Sequence, residues 1–189
     1  MSGRREWTAG LAKAGLVVRD DCGAGKGLIP PVVTGQLAGV MPWDISGSAS
    51  VDVDDPELHR RANADWYRLA VEEGLFRAED PRFFLAAGPA WVCVELRPDW
   101  DVMGQGAAGP LGSAPFRPEF RMLSLDGDVL LGATTGQSSI DTIVVKEPHW
   151  SEELRKFAEG VAESDSGFHG PQEKAAARRW LDDHPEPGA

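Results

Sequence analysis

Asp126-Gly127 sits between two short segments in which apolar residues recur, Phe120 to Leu125 and Asp128 to Ala133. Asp-Gly is the pair that tolerates the positive φ angles of a tight type I′ turn, so these residues are expected to form an antiparallel hairpin. Strand patterns flank it on both sides. Ala90 to Arg97 alternates, with Val92, Val94 and Leu96 on one face and Trp91, Cys93, Glu95 and Arg97 on the other, as a strand with one core face should. Ile140 to Lys146 follows the hairpin after a short Gly136-Gln-Ser-Ser link, close enough for an antiparallel neighbour. The expectation is an antiparallel meander of about four to six strands over residues 90–146.

Helical periods surround this sheet. Asp55 and Pro56 are a good start for a helix, and Leu58, Ala62, Trp66 and Leu69 return at helical spacing until Gly74 stops the run. From Ser151, the residues Leu154, Phe157, Ala158, Val161 and Ala162 mark a second apolar stripe. A short helix over 5–14, ended by Gly15, and a last one from Pro171 with Ala177, Trp180 and Leu181 complete the set. The reading is one α+β domain over 1–184, with the helices packed mainly on one face of the sheet. Its N-terminal part, 1–54, reads as irregular, with 42–50 as loop, and 185–189 as a frayed tail.

Charge narrows the functions open to such a domain. Nineteen Lys and Arg stand against 30 Asp and Glu, a net charge of −11, which disfavours phosphate backbones and anionic membranes as general partners. No apolar run approaches the roughly 20 residues of a membrane span, and Lys13 interrupts anything resembling a secretory leader. A cytoplasmic location is expected. Cys22 and Cys93 are the only cysteines, and their placement reads neither as a disulfide framework nor as a metal-ligand set.

The motifs that would announce chemistry fail at particular positions. Gly23-Ala-Gly-Lys-Gly suggests a phosphate loop, but its first position falls on Asp20 and its last on Gly27, losing both the anion nest and the magnesium hydroxyl. Asp52-Val-Asp-Asp-Pro-Glu57 places Glu57 where a calcium loop needs glycine. His59, His149, His169 and His184 show no zinc spacing. Neither Ser46-Gly-Ser48 nor Ser138-Ser139 forms a nucleophile elbow. No metal or cofactor is therefore expected. Leu69 to Arg82 resembles a recognition helix running into the wing of a winged-helix DNA-binding domain, and that resemblance implies a DNA-binding regulator. The acids of the helix in question do not suit a phosphate backbone.

One segment stands apart. Residues 98–118 contain eight Gly or Pro among 21 and carry the apolar side chains Trp100, Met103, Leu111 and Phe116. Loops of this length are uncommon and often functional. If it covers a site, Glu95 and Arg97 of the preceding strand, Asp99 and Trp100 of the loop, and Arg121 of the hairpin are the candidate ligand- or partner-binding residues. A carboxylate among arginines suits anchoring a polar ligand better than acting as a general base. The leading functional expectation is a non-catalytic interaction or regulatory protein that binds another protein through tryptophan-bearing surface, with Trp43, Trp100 and Trp150 in loops or helix entries. The alternative is a small-molecule enzyme or ligand-binding protein whose pocket lies under the 98–118 loop.

Overall fold

The computed structural model describes residues 2–23, 27–164 and 167–185, with the backbone alone for 2–6. The glycine-flanked Lys26 and the tail 186–189 lie outside the described residues. In chain order the helices are α1 (Ser2–Lys13), α2 (Pro31–Thr34), α3 (Leu58–Glu72), α4 (Glu152–Glu163) and α5 (Pro171–Asp183). The main strands are β1 (Leu16–Val18), β2 (Ile45–Asp52), β3 (Arg82–Ala87), β4 (Ala90–Leu96), β7 (Phe120–Leu123), β8 (Val129–Thr135) and β9 (Ser139–Lys146). A two-stranded ribbon, β5 (Gly112–Ala114) with β6 (Arg117–Pro118), lies within the 98–118 loop. The fold is α+β and the large sheet is antiparallel throughout, in the order β1-β4-β3-β7-β8-β9-β2.

The sheet has seven strands where four to six were expected. Three strands join the four read from sequence: the short β1, outside the expected 90–146 meander; β2, whose Ser/Gly-rich sequence reads as loop; and β3, whose Phe83-Phe84-Leu85 run does not alternate. In β3, Phe83 and Leu85 face one cluster of buried residues and Phe84 faces the other. A strand buried on both sides reads as a continuous apolar run. Because β3 lies between β4 and β7, the 98–118 loop joins strands that are not neighbours.

The helices cover both faces rather than mainly one. Trp66 and Leu69 of α3, with Leu11 and Ala14 beside α1, belong to the cluster that holds Val94, Leu131 and Val144. On the opposite face Leu154, Ala158 and Trp180, from α4 and α5, pack with Cys93, Leu130 and Val145. Alternation along β8 shows the division directly: Val129, Leu131 and Ala133 point to the α3 face and Leu130 to the α4 face. The 55–74 and 151–164 stripes are buried as their periodicity predicts, but periodicity does not say which side of a sheet a helix takes. Among the described residues no helix is long and apolar enough to cross a membrane.

The hairpin turn forms by another route than a type I′ turn. Gly127 has φ +87°, whereas Asp126 is not among the residues with positive φ. The Gly127 N–H donates to Ser124 O at 3.0 Å, the Val129 N–H donates to Ser124 Oγ at 2.9 Å, and Ser124 Oγ donates to Asp126 Oδ1 at 2.5 Å. One left-handed glycine and a serine hydroxyl together replace the two positive φ angles.

Cys22 and Cys93 are joined as a disulfide with Cα atoms 6.1 Å apart, contrary to the reading of them as unlinked. Cys93 is held on the α4 face of β4, and the chain before α2 crosses that face, so two cysteines 71 positions apart meet through topology that their spacing does not reveal.

Candidate functional site

The 98–118 loop is a wall of the core. Val102, Met103 and Leu111 are fully buried in the α3-side cluster, and Trp100 stacks on Tyr67 with ring centroids 5.3 Å apart. Asp101 organises the loop: its carboxylate accepts from Asn63 Nδ2 at 2.7 Å and from the Gly104 and Gln105 N–H groups at 2.8 Å each. Of the apolar side chains read from sequence, Trp100, Met103 and Leu111 fasten the segment to the α3-side core, whereas Phe116 is exposed and stacks on His59 of α3.

The five predicted site residues do not converge. Glu95 pairs with Arg19 at 3.4 Å and with Arg97 at 3.9 Å, in a surface group continued by Arg82 with Asp80 at 2.6 Å and Asp21 at 3.8 Å. Arg82 hydrogen-bonds Asp80 and holds its carboxyl below the ordinary range, and Arg19 does the same for Asp21. Exposed pairs of this kind contribute little to stability. Asp99 is exposed and Trp100 is half-buried against the α3-side core. Arg121 is separated from Glu95 along the sheet: Glu95 lies opposite Arg82, whereas Met122, next to Arg121, lies opposite Leu85. The offset is about four residues of β3, roughly 13 Å.

Arg121 has a structural task instead. Its Nε donates to Thr34 O at 3.1 Å, and its Nη1 donates to Phe120 O at 2.8 Å and Ala133 O at 3.3 Å. It clips α2 and the turn after it to β7 and β8, and burial lowers the guanidinium from its ordinary pKa.

A concave feature lies elsewhere, on the α4 face, where α5 stands away from the chain before α2 and from the β3–β4 hairpin. A cleft of about 690 Å³ opens between Pro30, Pro31, Trp91, Trp180, Asp183 and His184. A second of about 470 Å³ continues it past Val32, Ala90, Gln172 and Glu173. The two share Pro30, Pro89, Ala176 and Arg179, so they form one groove along α5. From Pro171 to His184 that helix rises roughly 20 Å.

Local sequence explains the groove's shape. Pro171 occupies the first turn of α5, and the Gly170 N–H donates to Glu173 Oε2 at 2.8 Å, which fixes the start of the helix. Ala177 and Trp180 bury its inner stripe, leaving Ala176 and Arg179 toward the groove. The facing wall contains Pro30, Pro31 and Pro89, which have fixed φ and no N–H to satisfy. Trp91 Nε1 donates to Ile29 O at 2.6 Å, tying the hairpin to that wall. At the far end, His184 stacks on His149 with ring centroids 4.8 Å apart, and Arg155 Nη1 donates to His184 O at 2.6 Å.

A further cleft of about 670 Å³, with Trp7, Val18, Asp20 and Val92 among its walls, lies beyond the same hairpin. Glu95, Arg97, Asp99 and Trp100 line none of these three clefts, and Arg121 borders only a crevice of about 10 Å³. Among the described residues no group of three or more His, Cys, Asp and Glu is placed to hold a metal ion. Trp91, Pro89, Ala176 and Arg179 escaped sequence reasoning because they come from separate elements and form no motif. The one signal available was the unusual Pro30-Pro31 pair. No protein-family model matches this chain, and neither a curated protein nor a solved structure matches it.

Proposed function

We propose that this protein is a non-catalytic recognition module that binds an extended segment of another protein in the groove along α5. The observation that carries this reading is the groove's length, roughly 20 Å along the helix. At about 3.3 Å per residue that length accommodates around six residues of extended chain, more than a compact metabolite needs. Its walls set apolar side chains, stiffened by Pro30, Pro31 and Pro89, beside a few charged ones; that stiffness limits the entropy lost on binding, and grooves lined by aromatic side chains are a recurring way of holding extended or proline-containing peptides. The module is placed in the cytoplasm as part of the same reading.

The test is selection of a random peptide display library against the full chain. Peptides are expected whose binding is lost in Ala176→Trp, which fills the middle of the groove, and in Pro89→Arg, which alters the opposite wall. Circular dichroism of both variants checks that the fold is kept. Absence of any binder, or binders indifferent to both substitutions, would overturn the reading.

A further inference from the structure

The charges along the groove specify more than an extended shape. Arg179 lines both clefts and so lies at their junction, where the other shared residues, Pro30, Pro89 and Ala176, are uncharged. Its side chain is exposed, and among the described residues it has neither an ion pair nor a hydrogen bond. Its neighbour Arg178, by contrast, donates to Ala162 O at 2.7 Å. Acids stand at the two ends, Glu173 in one cleft and Asp183 in the other.

We propose that the segment held along α5 carries one acidic side chain at its centre, paired with Arg179, and none at the positions facing Glu173 and Asp183. The inference rests on the peptide-binding reading above. Arg179 is six residues from Glu173 and four from Asp183, about 9 Å and 6 Å along the axis. In extended chain those distances correspond to roughly three and two residues. A guanidinium fork suits a carboxylate in bidentate geometry, while carboxylates at the ends repel an acid placed there, which adds discrimination by exclusion. The overall excess of acid does not cancel this pattern, because exposed charges farther away than about 8–10 Å are largely screened at physiological salt.

The pattern is tested on peptides selected as above. Those lost in Ala176→Trp should share one Asp or Glu at a fixed position, with no acid two residues away on one side or three on the other. Arg179→Ala should weaken them roughly 10- to 100-fold, the usual value of a charge-assisted hydrogen-bonded pair, and Arg179→Lys should weaken them less. Arg179→Glu should reject the selected peptide yet bind its counterpart with Lys at the central position, an exchange that a purely structural role would not produce. Groove-binding peptides with no fixed acid, or with affinity unchanged in Arg179→Ala, would overturn this proposal and leave peptide binding standing. If no peptide responds to Ala176→Trp or Pro89→Arg, both fall together.

Discussion

Asn63 and Asp101 satisfy each other across 38 positions of sequence: Asn63 Nδ2 donates to Asp101 Oδ1 at 2.7 Å, while Asn63 Oδ1 accepts the Met103 N–H at 3.0 Å. One α3 side chain and one loop carboxylate thus hold the 98–118 segment on the core. Asp101→Ala removes the acceptor for three donors and should cost about 3 kcal/mol, and Asn63→Ala about 2 kcal/mol. Because the two share partners, the double variant should lose less than the sum. Urea unfolding of the four proteins measures this, and strict additivity would refute the coupling.

Gly106 is a tighter constraint on the same loop. A Cβ at this position would lie 2.0 Å from Asp101 O and 2.5 Å from Ala14 Cα, both backbone atoms that cannot step aside cheaply. Gly106→Ala is expected to destabilise by about 3 kcal/mol, an overpacking cost. Gly160, in α4 with nothing within 4 Å of its would-be Cβ, is the control: Gly160→Ala should stabilise by roughly 0.5–1 kcal/mol. Thermal unfolding of the pair shows whether opposite signs are found.

Reduction of Cys22–Cys93 releases a long loop. With a sequence separation of 71, the loop-closure model gives about 4 kcal/mol of lost stability. Denaturant unfolding with and without reductant, together with a Cys22→Ser/Cys93→Ser variant, should show equal losses. A reductant effect that persists in the double variant would mean that something else is being reduced.

Stability should fall on mild acidification. Burial, followed by the neighbouring His184 and, least, by Arg155, outweighs the opposing attraction of Glu147 and Asp128 and holds His149 below the ordinary imidazole value. A group with a depressed folded pKa binds its proton more readily when unfolded, so its stabilising contribution is complete above about pH 6.5 and shrinks as pH drops from there through the lower folded value. His149→Gln should flatten the stability profile below pH 6.5. An unchanged slope in urea titrations across that range would remove His149 as its source.

How legible these features were depended on whether the information is local. Trp66 and Leu69 on α3, and Val92, Val94 and Leu96 on β4, declare their buried face through spacing, and the structure places them on it. Ile45 to Asp52 does not, because Ser46, Gly47, Ser48 and Ser50 favour turns. That segment is a strand because β9 offers it a partner, and Gly47 lets it lie close to α3, since a Cβ there would lie 2.9–3.0 Å from Leu69 of α3 and from Glu73 just beyond it. Glu95 and Arg97 lie two apart on one face and do pair, at 3.9 Å. Arg121 is charged like them but does not share their place, because β3 lies between β4 and β7, which no spacing encodes. The α5 groove draws on chain positions from 27 to 184, so only the assembled fold brings it into view.

The pairing of β2 with β9 joins Ile45 to Val145 and Asp52 to Ser139, and this has a consequence during synthesis. When β2 leaves the ribosome, its partner strand β9 is still about 90 residues away, a wait of roughly 5–20 s at common translation rates. A strand rich in valine and phenylalanine would spend that time as a sticky, unpaired edge. Ser46, Gly47, Ser48 and Ser50 make β2 a poor template for stray association. The composition that hides β2 from the eye thus also protects the nascent chain until its last strand arrives.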